Sequence, residues 1–194
     1  MRWRDTRSGY GWLSIALHWL TAILVLTMWT IGTMSQTDVQ EDSAWYAHLH
    51  MSIGVSAYLL LWGRILWRFA VGHPAPHPGQ SALLFPVAKA LHYLFLIAIG
   101  VMLVSGPLMG WSDGDAVEVF AFAIPSPFAP WSGLHDLLRR VHGVTASIII
   151  LGVLLHILAA LRHIVINRDG TFDKIMIADG AAGGGLASAS KAKA

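Results

Sequence analysis

Four apolar segments, each long enough to cross a bilayer as a helix, leave this chain few ways to fold. A hydrocarbon core takes roughly 20 helical residues, and backbone polar groups inside it must be satisfied within the segment itself. The segments lie at about residues 12–34, 45–70, 88–111 and 138–166. The first, Trp12 to Met34, carries no charged side chain, and the fourth carries none from Val141 to Leu161. The second holds Arg64 and Arg68 toward its end, and the third contains Gly100, Gly106 and Pro107, which predicts a kink near the proline. Charged residues are 12% of the chain, about half the share of an ordinary soluble domain. The expected fold is all-α, an integral membrane four-helix bundle over residues 1–175, with a disordered cytoplasmic tail over 176–194. Segment one is too long for a signal-peptide core, and Thr30 to Ser35 gives no small-x-small cleavage site, so it reads as mature sequence.

Orientation follows from the basic residues between the spans. With both termini cytoplasmic, 11 of the 13 Lys and Arg residues lie inside, leaving Arg139 and Arg140 outside. Seven of the 11 acids, including Asp113, Glu118 and Asp136, fall on the outer side. Trp3, Trp12, Trp45, Trp67, Trp111 and Trp131 cluster near the proposed helix ends, where amphipathic rings settle. The inner loop from His73 to Pro86 is proline-rich and stiff. The outer loop from Ser112 to Asp136 is apolar enough to cap the bundle.

Ten histidines sit in this frame, seven of them within the spans, and an ionisable residue in a span is a functional candidate by default. His142 and His156 are 14 residues apart on the fourth segment, just under four turns, so they share a face at depths separated by roughly 21 Å. Depth pairs His50 with His142 near the outer side and His18 with His156 near the inner side. Two imidazoles per site are too few for zinc, and a non-haem iron triad would need a carboxylate. With no cysteine in the chain, thiolate clusters and covalent haem attachment are excluded. A b-type haem needs only two axial imidazoles, because the porphyrin supplies the other four nitrogens. Arg64, 14 residues beyond His50, is placed to pair with a haem propionate, whereas Arg68 is expected to snorkel to the headgroups. His92 and His163 stand near the inner site as alternative ligands, propionate partners or quinone and proton contacts. His48, His73, His77 and His135 read as surface residues. Gly32, Gly54, Gly143, Ala146 and Gly152 supply small surfaces near the candidate ligands.

The run Leu17-His18-Trp19-Leu20, the motif His50-x-x-x-Gly54 with Arg64 and Arg68 before a proline-rich loop, Leu91-His92-Tyr93, and the His142 and His156 pair together resemble the prokaryotic cytochrome b561 family. The resemblance spans about residues 10–175. It implies a bacterial inner-membrane, multi-pass cytochrome with two haem b groups, held by His18 and His156 and by His50 and His142, that exchanges electrons with the quinone pool. Related cytochrome b subunits of hydrogenases and formate dehydrogenases share this ligand pattern, so a docking subunit is the alternative reading. Some stand-alone members resemble quinone reductases fed by superoxide. Arg139 and Arg140 would draw such an anion, but the outer acids oppose it. The electron donor and acceptor are not specified by the sequence, which is also compatible with a homodimer. A histidine-relay transporter is disfavoured because no Asp or Glu lies inside a proposed span. Nucleic-acid binding is excluded because topology, not a clustered basic surface, accounts for the Lys and Arg residues.

Overall fold

The computed structural model describes residues 2–7, 9–36, 40–72, 74–75, 84–168 and 170–178. His73, His77, most of the proline-rich loop and the tail beyond 178 lie outside the described residues. The chain folds as helices α1 (Trp12–Met34), α2 (Gln40–Ser56), α3 (Tyr58–Val71), α4 (Leu84–Ser112), α5 (Ser132–Arg162) and α6 (Asp173–Met176), with strands β1 (Val117–Val119) and β2 (Phe122–Ile124) between α4 and α5. Among the described residues, α1, α4 and α5 are each long and apolar enough to span a membrane, and α2 with α3 makes a fourth, broken span.

The side-chain distribution is that of a bundle dissolved in lipid. Large apolar residues such as Leu59, Ile23, Leu66 and Val144 point outward, while the buried polar residues are the small Ser14, Thr21, Ser52, Ser105, Ser112 and Thr145. Lipid tails are as apolar as leucine, so association relies on close packing and interhelical hydrogen bonds rather than on hiding large side chains from water. The tightest apolar cluster, Leu61, Ile65, Leu96, Ile99 and Leu103, joins α3 to α4. Helix α5 lies along α4, and at Gly152 an added Cβ would stand 2.7 Å from Phe95 Cε1. Only a glycine lets that ring seat against α5.

The second span departs from the continuous helix expected over 45–70. Residues 42–56 and 58–71 meet at an angle of 46°. The Ser56 hydroxyl donates to the Ser52 carbonyl at 2.7 Å, a back-bond that competes with the helix ladder and bends it, and Ala57 has ψ −1°, well off the helical value. By contrast, α4 runs through Pro107 without a break. It also starts earlier than expected, because Pro86 falls in the first turn, where its missing N–H costs no ladder bond.

Arg68 does not snorkel. Its Nη1 lies 3.1 Å from Asp5 Oδ2, with the two side chains 13% and 4% exposed, and it also donates to the Gly72 carbonyl. Its guanidinium lies 5.2 Å from the Tyr10 ring centre. Burial raises the Tyr10 phenol above its ordinary pKa, an effect that Arg68 partly offsets. The other carboxylate oxygen of Asp5 accepts from the Gly11 N–H at 2.9 Å, and Trp67 Nε1 donates to Ser14 Oγ at 2.8 Å. Residues 2–7 and 9–11 thus form a strap across this end of the bundle, tied by the Ala75 N–H to the Arg7 carbonyl at 3.0 Å. At the same end Trp19 Nε1 donates to the Ile175 carbonyl at 3.2 Å and Ala178 is buried, so the fold reaches past residue 175.

The opposite end is covered by the β1–β2 hairpin, whose antiparallel register sets Val117 opposite Ile124 and Val119 opposite Phe122. Phe120, in the turn, has φ 51°, and its N–H donates to Ser52 Oγ at 2.8 Å. Val117 is 2% exposed and packs at Gly110 of α4. His48 and Glu118 face each other at 3.7 Å. His135 is not in a loop: it stands in the first turn of α5, with Nδ1 3.2 Å from the Met109 carbonyl and 3.0 Å from Asp113 Oδ1.

Candidate functional site

Helix α5 organises the interior. His142 and His156 project from it toward α1 and α2, and each meets one imidazole from those helices. On the hairpin side, the ring centres of His50 and His142 are 6.2 Å apart with the planes at 72°. On the strap side, His18 and His156 are also 6.2 Å apart, at 56°. The two pairs are stacked along α5, roughly 21 Å apart by helical rise.

The hairpin-side pair is held by specific contacts. His142 Nδ1 lies 2.9 Å from Ser105 Oγ of α4. His50 Nδ1 is buried without a hydrogen-bond partner. The ring approaches α1 at Gly32, where an added Cβ would stand 3.0 Å from His50 Cε1 and 3.2 Å from Nδ1. On the strap side, His156 packs edge-on against Phe95 at 6.0 Å and against His92 at 5.6 Å, and His18 packs on Trp19 at 5.4 Å. Arg64 is close enough to His18 to act on its charge, and its Nε is buried without a hydrogen-bond partner. His163 opens a π-helical turn, His163–Asn167, and makes its nitrogen contact inside that turn, 3.2 Å from Asn167 Nδ2.

Sequence reasoning placed Gly54 and Gly143 beside the candidate ligands. In the structure a Cβ added at Gly54 would stand 3.2 Å from Met28 Cε, and one at Gly143 would meet open space. It missed Ser105, Phe95 and the pairing of Gly32 with His50, because contacts between α4, α1 and their neighbours depend on helix rotations that no periodicity on one helix reveals. The one available signal for Ser105 was a hydroxyl inside an otherwise apolar segment.

Among the described residues, no group of three or more His, Asp or Glu side chains converges as a metal site. Two imidazoles facing across a gap suit an ion that brings its own equatorial ligands. Two metal–nitrogen bonds of about 2 Å each, plus the distance from nitrogen to ring centre at both ends, sum to roughly 6 Å, which is the spacing found twice. The orphaned Arg64 Nε adds a buried donor that lacks an anionic acceptor.

The family model described as prokaryotic cytochrome b561 matches residues 9–177. The chain is 35% identical over 184 residues, 91% of its length and 95% of the relative's, to cytochrome b561 homolog 2 of Escherichia coli K12. This chain belongs to the prokaryotic cytochrome b561 family. It is 25% identical to a probable superoxide oxidase, CybB, of Yersinia pestis, over 86% of this chain and 95% of that one. It is also 25% identical to cytochrome b561 homolog 1 of Escherichia coli K12, over 84% of this chain and 93% of that one. As a cytochrome b561 it is a membrane b-type cytochrome that carries haem and transfers electrons, in a family that works with the membrane quinone pool.

Proposed function

We propose that this chain transfers electrons across the bacterial inner membrane through two b haems, exchanging them with quinone. The observation that carries the reading is the pair of 6.2 Å imidazole gaps at two depths, both served by α5. His18 and His156 would hold the inner haem and His50 and His142 the outer, with the strap side and both termini on the cytoplasmic side that the basic residues favour. When bound, haem supplies one-electron chemistry, its iron cycling between the ferric and ferrous states. Two imidazoles on one haem iron would leave no open coordination position, which favours electron transfer over small-ligand activation.

The chain's own residues position, shield and balance charge. Ser105 and the α1 backbone at Gly32 fix the outer imidazoles, while Phe95 and Trp19 wall the inner pair. Arg64 offers its buried guanidinium to a propionate, a charge-assisted contact that fills its missing acceptor. His92, against His156, is placed to donate to a propionate or pass protons to quinone, and His163 stands one step further toward the inner surface. The name of the Yersinia relative makes superoxide a candidate outer donor. Asp113, Glu118 and Asp136 at that surface disfavour an anion, so quinone exchange is the core of the proposal.

The direct test is anaerobic mixing of the oxidised protein with a short-chain ubiquinol, and of the reduced protein with the quinone. Haem reduction in the first case and reoxidation in the second are expected. Haems that dithionite reduces but neither quinone form touches would contradict the reading. A second expectation concerns packing: Gly32→Leu should lose the outer haem and keep the inner one, because even a Cβ crowds His50. Haem counted per chain checks it, and a full complement in that variant would remove Gly32 from the site.

A further inference from the structure

The two imidazole pairs are held differently, and the difference lies in one hydroxyl. On the inner side, His156 is packed by the rings of Phe95 and His92. On the outer side, His142 Nδ1 meets Ser105 Oγ at 2.9 Å, and Ser105 is 2% exposed. Ser105 Oγ also lies 3.5 Å from the Met102 carbonyl one turn back on α4. That carbonyl can take the hydroxyl proton, which leaves an oxygen lone pair for the proton on Nδ1. The opposite arrangement, with Ser105 donating to Nδ1, would put the imidazole proton on Nε2, where a metal ligand must be bare. A groove of about 390 Å³, lined by Trp62, Gly100, Val104, Leu138 and Val141 as well as Ser105, flanks this contact with apolar side chains. It offers His142 no second acceptor.

We propose that Ser105 is a positioning residue that fixes the tautomer of His142 and lowers the reduction potential of the outer haem. The inference rests on the ligand assignment above. A ring N–H given to an acceptor makes the imidazole a more basic ligand, and a more basic ligand favours the ferric over the ferrous state. The serine thereby sets the outer haem apart from the inner one without touching the iron.

Redox titration of the purified full-length protein, followed by haem absorbance, tests this with Ser105→Ala and Ser105→Thr. The alanine variant should keep two haems per chain and shift the ferric to ferrous ratio of one of them threefold to tenfold toward ferrous at a given ambient potential. Tenfold corresponds to about 59 mV for a one-electron couple. The shifted haem should be the one that survives in His156→Ala. Threonine, which keeps the hydroxyl, should restore the native potential. Unchanged potentials in a two-haem alanine variant, equal shifts of both haems, or a threonine variant that behaves like alanine would each overturn the proposal. Should alanine lose the outer haem altogether, its retention at native potential in the threonine variant supports the hydroxyl's role, and its loss in both overturns it. A native chain with fewer than two haems overturns the ligand assignment instead, a result distinct from unmoved potentials in a protein that holds both.

Discussion

If the proposed two-haem arrangement holds, His156→Ala and His142→Ala should each leave one haem per chain in place of two, and the double variant should be colourless. Helix α5 gives one imidazole to each pair, so each single change removes half of one site and none of the other. The two single variants should lose different haems. His142→Ala removes the site that Ser105 supports, whereas His156→Ala removes the one beside Arg64 and His92. A porphyrin clinging to a damaged site through one remaining imidazole would be five-coordinate and spectroscopically distinct. Electron passage between the two faces should stop in either variant, because each haem is a necessary station. Haem content per chain checks the prediction, and two intact haems in either single variant would contradict the pairing.

Asp5→Ala should be the most destabilising change outside the haem ligands. The Asp5 and Arg68 side chains are almost wholly withdrawn from solvent, and removing one partner of a buried ion pair leaves an uncompensated charge at a cost of about 3–5 kcal/mol. The same carboxylate caps the Gly11 N–H, so the strap loses two of its anchors at once. Gly11 has no room to compensate, since an added Cβ would stand 2.5 Å from the Arg4 carbonyl carbon. Thermal unfolding in detergent should show a drop of roughly 10 °C. Asp5→Asn keeps an acceptor for Gly11 and should lose less. An unchanged unfolding temperature in Asp5→Ala would show that the strap is not part of the cooperative fold.

The membrane spans were legible in the sequence because lipid imposes a length and a polarity that a linear scan can read, and α1 begins and ends where the apolar segment does. The two imidazole pairs were legible for a related reason. Depth in a bilayer reduces a three-dimensional problem to one coordinate, so His50 could be matched to His142, and His18 to His156, by counting residues. What depth could not supply was rotation and local chemistry. The 46° bend at Ala57 depends on a serine back-bond, and the β1–β2 hairpin turns at Phe120 rather than at an Asn-Gly signal. Arg68 looked like a snorkelling residue because its partner, Asp5, lies 63 positions away in sequence. Beyond a hydroxyl in an apolar segment, Ser105 carries no signal of its own in the sequence, because its role depends on how α5 packs against α4.

Electron paramagnetic resonance of the fully oxidised native protein, with haem counted on the same sample, tests the central claim most directly. Two low-spin ferric signals of equal weight and two haems per chain are expected, each iron held between two imidazoles. A single haem, or a high-spin signal from an iron with an open position, would contradict it.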